Sequence, residues 1–211
     1  MKTKATLLGL TVAGLMTFVA LAPISTQSAP KNGGSGNNLE PDAELLALEA
    51  SGALLAPLDL YIKIHVELED IRGAFPVVYN IHARANWVWG QLICVPLTSG
   101  QRNCLNSQNL GPYSLSRVRW TSSYQIITFS QHYNPDLLSA FLRANCGIVS
   151  GPNHYGGDGN DITYDLLTGL YTFKMGWGDC EAGCISNHYW LFSVNAVHQV
   201  TLISEYGSPL P

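Results

Sequence analysis

The chain has 211 residues, 46% of them hydrophobic and only 12% charged, with a formal net charge of −4. That balance supports a packed core and excludes a globally disordered polymer. Eleven Lys and Arg set against fifteen acids leave no overall electrostatic footprint for nucleic acid, so no nucleic-acid partner is expected.

Lys2 and Lys4 precede an uncharged run from Ala5 to Ala22, and Ala22-Pro23-Ile24-Ser25-Thr26-Gln27-Ser28-Ala29 follows it. A basic start, an apolar stretch and a small-residue exit predict a secretory signal peptide over residues 1–28, cut after Ser28. A run of about 18 apolar residues is also the least that spans a bilayer as an anchor, but its Gly and Thr content favours cleavage. Loss of the leader removes two lysines and no acid, bringing the net charge to −6. No later stretch is long and apolar enough to cross a membrane, so the mature chain is expected off the membrane, in the periplasm or outside the cell. Residues 29–40 read as a polar Gly/Asn linker, and 41–211 as a single globular domain.

Asp42 to Ala50 reads as a short helix, capped by Asp42 and ended by Gly52. Leu58 to Phe75 fits two periods. Ile62, Ile64, Val66 and Leu68 alternate with polar residues at strand period, whereas Leu60, Ile64, Leu68, Ile71 and Phe75 make a helical stripe. β-Branched content favours a strand first and a short helix over Glu69 to Ala74. Strands are expected at Gly90 to Leu97, ending in a polar turn over Thr98 to Asn103, and at Tyr124 to Phe129. Asn134-Pro135-Asp136 opens a helix that Cys146-Gly147 ends. Extended segments follow at 148–154, 162–164, 169–175, 188–194 and 200–204. The order predicts an α+β fold: a mainly antiparallel sheet with two or three short helices.

The densest cluster of chemistry-bearing residues is Gly176-Trp177-Gly178-Asp179-Cys180-Glu181-Ala182-Gly183-Cys184-Ile185-Ser186-Asn187-His188-Tyr189-Trp190-Leu191-Phe192-Ser193-Val194. A strand from His188 would place His188, Trp190, Phe192 and Val194 on one face. The leading reading is a structural disulfide between Cys180 and Cys184, the default use of cysteine in an exported chain. A second is a zinc or copper site of Cys180, Cys184 and His188, with Asp179 beside it. A third, a Cys–His catalytic pair, lacks an orienting third group. Asp179, His188 and Trp190 are also a candidate binding surface. Cys94 and Cys104 flank a polar turn and read as a second disulfide, leaving Cys146 as the odd thiol; pairing of Cys146 with a later cysteine is the alternative. Gly156-Gly157-Asp158-Gly159-Asn160-Asp161 has too few acids for a calcium loop and reads as a tight turn. The other histidines are scattered. No phosphate-binding loop, nucleophile elbow or paired-carboxylate motif stands out, so an enzyme is not the leading expectation and no cofactor is expected.

Two segments resemble those of known proteins. Gly176 to Val194, as GWGDCxxGCxxxHYWxFxV, with the tail Glu205-Tyr206-Gly207-Ser208-Pro209-Leu210-Pro211, is similar to a C-terminal signature of uncharacterised exported bacterial proteins. It implies no activity. Gly90-Gln91-Leu92-Ile93, the helix Pro135 to Asn145 and Gly147-Ile148-Val149-x-x-Pro152-Asn153-x-Tyr155 together resemble subtilisin-propeptide-like domains over about residues 90–155. In that family the closing strand carries Ala-Glu before Pro-Asn-Tyr; here Ser150-Gly151 replace the pair and His154 separates Asn153 from Tyr155. The resemblance implies a ferredoxin-like unit and a non-enzymatic module that binds another protein, with protease inhibition as the sharpest form. A metal-dependent protein built on the Asp179–His188 loop and a structural cell-surface protein are the competing expectations.

Overall fold

The computed structural model describes residues 40–119 and 121–211. The expected signal peptide, and all of the expected linker but Glu40, lie outside them.

Helix α1 (Pro41–Ser51) begins with proline at its first position, carries Asp42 and Glu44 in its first turn, and ends on Gly52 in the left-handed region. Those acids suit the positive end of the helix dipole. The cap position is Glu40, not Asp42, and no side chain caps it. Helix α2 runs unbroken over Leu58–Ala74, so the expected strand at its start is corrected. The helical stripe prevails because Ile64, Leu68 and Ile71 are fully buried while Ile62, needed by the alternating pattern, is half exposed. A 3-10 turn over Pro76–Val78 follows.

Residues 87–154 fold as strand, helix, two strands, helix, strand: β1 (Trp87–Cys94), α3 (Ser99–Ser107), β2 (Tyr113–Arg117), β3 (Gln125–Phe129), α4 (Pro135–Cys146) and β4 (Ser150–His154). Their sheet has the order β2-β3-β1-β4 with every neighbouring pair antiparallel. That is the ferredoxin-like topology, in which each helix carries the chain between two strands that have a third strand between them. The expected polar turn after β1 is in fact the start of α3. Thr98 accepts from the Gln101 amide and the Gln101 side chain returns to Thr98, a reciprocal cap that starts a helix of mostly polar residues. Asn134 caps α4 by accepting from Asp136 and Leu137, and Gly147 ends it, as the sequence predicts.

The rest of the chain adds β5 (Asp161–Asp165), β6 (Leu170–Trp177), β7 (Ser186–Val194) and β8 (Val200–Gly207), a four-stranded antiparallel meander in sequence order. Two apolar cores result. One joins α1 and α2 to the inner face of the meander through Leu46, Ile64, Leu68, Tyr171, Phe173, Trp190 and Phe192. The other lies inside the ferredoxin-like unit, where Leu105 of α3 and Leu138 and Leu142 of α4 pack on Leu92, Ile127 and Phe129. The loop after α1 links them: Leu54 packs against the second core and its carbonyl accepts from the Asn134 amide at 3.0 Å. The α+β class holds, with four α-helices and two antiparallel sheets among the described residues where the sequence suggested two or three short helices.

Candidate functional site

The Gly176–Val194 segment is the hairpin joining β6 to β7. Cys180 and Cys184 are bonded to each other across its turn, with Cα atoms 3.9 Å apart. Gly176 has no room for a side chain, since a Cβ there would lie 2.5 Å from Cys184 Sγ and 3.0 Å from the Gly159 carbonyl. The Gly156–Asp161 loop closes over this turn. Asp158 donates its amide to the Cys180 carbonyl at 2.7 Å, and Lys174 holds the Asp158 carboxylate at 2.6 Å. That lysine, followed by the Gly159 amide, keeps the Asp158 carboxyl below its usual range. The loop's first acid is thus paired within the protein.

His188 and Trp190 do alternate on one face with Phe192, but the face is the inner one. Trp190 is 2% exposed and His188 8%, and their rings meet at 4.5 Å. The binding surface expected from Asp179, His188 and Trp190 is corrected to this extent: only Asp179 lies in the open turn. His188 is fixed at both nitrogens, Nδ1 at 2.7 Å from the Ser208 carbonyl and Nε2 at 3.0 Å from Glu205. Gly207, at φ 118°, lets the C-terminal strand pass over His188, because a Cβ would collide with the Asn187 carbonyl.

These partners take away the donors of the zinc or copper reading. Cys180 and Cys184 are bonded to each other and both His188 nitrogens have protein partners, so none of the three is offered to a metal. Among the described residues no three His, Cys, Asp or Glu side chains form a cluster able to hold a metal.

The second disulfide is corrected. Cys104 on α3 bonds Cys146 at the end of α4, with Cα atoms 5.6 Å apart, and Cys94 is the free thiol. Cys94 and Cys104 flank a turn in sequence, but the helical start of α3 directs Cys104 toward α4. Cys94 lies in the ferredoxin-like core, where burial pushes its pKa up against a contact from Gln125 at 3.5 Å. A buried, protonated thiol is unreactive.

Two charged networks join segments distant in sequence, with Lys63–Glu67 as their one i,i+4 helix pair. Asp42, 5% exposed, accepts from Arg72 Nη2 at 2.5 Å and the Ala83 amide at 3.0 Å, with His82 Nδ1 at 2.8 Å; Arg72 also donates to Glu40 at 2.5 Å. Burial works against the Arg72 charge, but the bonds to Asp42 and Glu40 outweigh it and raise its pKa. Buried Glu67 accepts from the Tyr171 hydroxyl and from Lys63, each at 2.5 Å. Burial, reinforced by that bond, raises the Tyr171 pKa. Both networks tie α1 or α2 to neighbouring segments and are structural.

Glu49, near the end of α1, has its carboxyl pushed up to about 7 by desolvation and by the charge of Asp161. The folded state therefore favours protonated Glu49. This contribution is complete below the unfolded pKa near 4.5 and is lost as pH rises through about 7. Glu49→Gln is expected to raise the melting temperature at pH 8 relative to the parent and to change nothing at pH 4. Water reaches much of this side chain, so the gain is small. An equal shift at both pH values contradicts the linkage.

The ferredoxin-like unit differs from the rest of the chain in charge. Between Trp87 and His154 lie four arginines and one acid, Asp136, a net of +3. From Glu40 to Asn86 and from Tyr155 to Pro211 there are fourteen acids and four Lys or Arg, a net of −10. On its sheet, Leu92 and Ile127 enter the core, so by alternation Gln91, Ile93, Ile126 and Thr128 turn to the opposite face. Ile93 and Ile126 pair across the two central strands and belong to neither core. This face, flanked by Ser114, Ser116 and Asn153, is the unit's candidate binding surface. The partition of charge was legible in the sequence; the pairing of the two isoleucines was not.

No protein-family model, curated protein or solved structure matches the chain.

Proposed function

We propose that the protein is an exported, non-enzymatic module that binds another protein through its ferredoxin-like unit, with inhibition of an extracellular serine protease as its specific form. The observation that carries the reading is the strand and helix order of residues 87–154, the order implied by the resemblance to subtilisin-propeptide-like domains. Both helices cover one face of the sheet, and Gln91, Ile93, Ile126 and Thr128 on the other face are partly exposed. Two disulfides suit an oxidising compartment, and no helix of the described residues is long and apolar enough to cross a membrane.

The test is a panel of extracellular serine proteases, subtilisin-like enzymes first, assayed with the mature chain. Progress curves are expected to slow at micromolar concentrations of the protein. Ile93→Thr with Ile126→Thr removes apolar contact but keeps β-branched side chains on the strands, and is expected to weaken inhibition about tenfold with the fold retained. No slowing of any protease contradicts the inhibitory reading.

A further inference from the structure

We propose a second docking site, distinct from the sheet face: the free edge of β2 accepts an extended acidic peptide segment of a partner protein as a fifth strand.

Among the described residues β2 ends the sheet and pairs only with β3. Pro112 accepts from the Ser130 amide at 3.0 Å and Val118 donates to the Tyr124 carbonyl at 3.3 Å. Hydrogen bonding alternates along an antiparallel pair, so the even-numbered residues turn their amides and carbonyls to β3. Tyr113, Leu115 and Arg117 turn theirs outward. This edge has no proline within it and no lysine, the residues that usually block strand addition. The opposite edge, β4, contains Pro152. The open ladder is on the β2 side.

Beside this edge runs a groove of about 650 Å³ between β2 and the end of α3, lined by Leu105, Asn109, Leu110, Tyr113 and Leu115. Leu115 faces the helix side of the sheet opposite Ile127, yet is 36% exposed, with no further strand of the described residues over it. A strand laid along β2 would send every second side chain into this groove and the rest to solvent. Five residues of β2 span about 17 Å, enough to pair a segment of similar length.

Charge chooses the occupant. Arg117 and Arg119 are exposed at the end of the groove, where a shallow depression is lined by Arg117, Arg119 and Thr121. Among the described residues neither arginine forms an ion pair, and, unlike Arg84 and Arg102, neither donates a hydrogen bond from its guanidinium. Arg117 shares the groove face with Leu115, so a segment with apolar residues along the groove and acids where it runs past Arg117 satisfies the ladder, the groove and the guanidinium groups together. A second copy of β2 would bring its own arginines to the contact.

The probe is a fluorescein-labelled nine-residue peptide with two glutamates at each end and valine alternating with threonine between them, titrated with the mature protein and followed by anisotropy. Saturable binding is expected, weakening with added salt. Arg117→Glu with Arg119→Glu is expected to weaken it by more than about tenfold. Leu115→Pro removes one outward amide where proline does not disturb the pairing with β3, and is expected to abolish binding with unchanged circular dichroism. The Glu variant keeps the test decisive should the proline variant unfold. Equal binding of a lysine-for-glutamate peptide, or of a single-stranded oligothymidine, overturns the proposal, as does binding that survives Leu115→Pro in a folded protein. The site is independent of the sheet face, so loss here with protease inhibition intact rejects this inference alone.

Discussion

Replacing Cys104 and Cys146 together by serine is expected to lower stability by about 4 kcal/mol and the melting temperature by on the order of 10 °C. The bond closes a loop of 42 residues that holds the end of α3, β2, β3 and α4. Its loss returns that loop's conformational freedom to the unfolded chain. The Cys180–Cys184 bond closes a separation of only 4 residues, so the same change there is expected to lower stability by about 2 kcal/mol. Thermal unfolding of the two double variants side by side checks the ranking. Equal losses would mean that the longer loop is already ordered in the unfolded state, or that the pairing differs.

Arg72→Met is expected to destabilise the protein by about 3–5 kcal/mol, as removal of one member of a buried ionic network does. Arg72 is the cation shared by Glu40 and Asp42, and its Nη2 also donates to the Ile81 carbonyl at 3.0 Å. Without it, Asp42 keeps only the Ala83 amide and His82, and an almost fully buried carboxylate loses its counter-charge. Adding Asp42→Asn to Arg72→Met is expected to recover part of the loss, because the orphaned charge goes with the arginine. Urea unfolding of the single and double variants measures both steps. A single-variant loss below about 1 kcal/mol would place the network with ordinary surface ion pairs.

The elements legible in the sequence were those with their own local signals. Asn134-Pro135 and Cys146-Gly147 carry both ends of α4, and the β-branched and aromatic runs mark β3, β6 and β7. Helix α2 was misread at its start because Ile62, Ile64, Val66 and Leu68 fit a strand as well as a helix; packing against the meander decided it, and packing is not local. Helix α3 and strand β2 were missed for a related reason. The first is started by a Thr98–Gln101 cap rather than by an apolar stripe, and the second, Tyr-Ser-Leu-Ser-Arg, is an exposed edge with little hydrophobic pattern.

At the C-terminal hairpin, the residues were found and their roles were only partly foreseen. The alternation of His188, Trp190 and Phe192 was readable, but which face of β7 turned inward depended on α2 lying across the meander. The Ser208 and Glu205 partners that occupy His188 come from β8 and the tail, which the sequence places nearby only once the meander order is known. The cysteine pairing failed at the same step: flanking a turn suggested Cys94 with Cys104, and the helix that replaced the turn rotated Cys104 toward Cys146.

Both binding readings rest on the fold of residues 87–154, and the most direct test of that fold is the disulfide map of the mature protein. The measurement is proteolysis without reduction after alkylation, followed by mass analysis of the linked peptides. The fold requires a peptide pair joined through Cys104 and Cys146, a short loop closed by Cys180 and Cys184, and alkylation of Cys94 only after denaturation. A Cys94–Cys104 link would contradict it, because Cys94 points into the core between β1 and the helices while Cys104 reaches across to the end of α4.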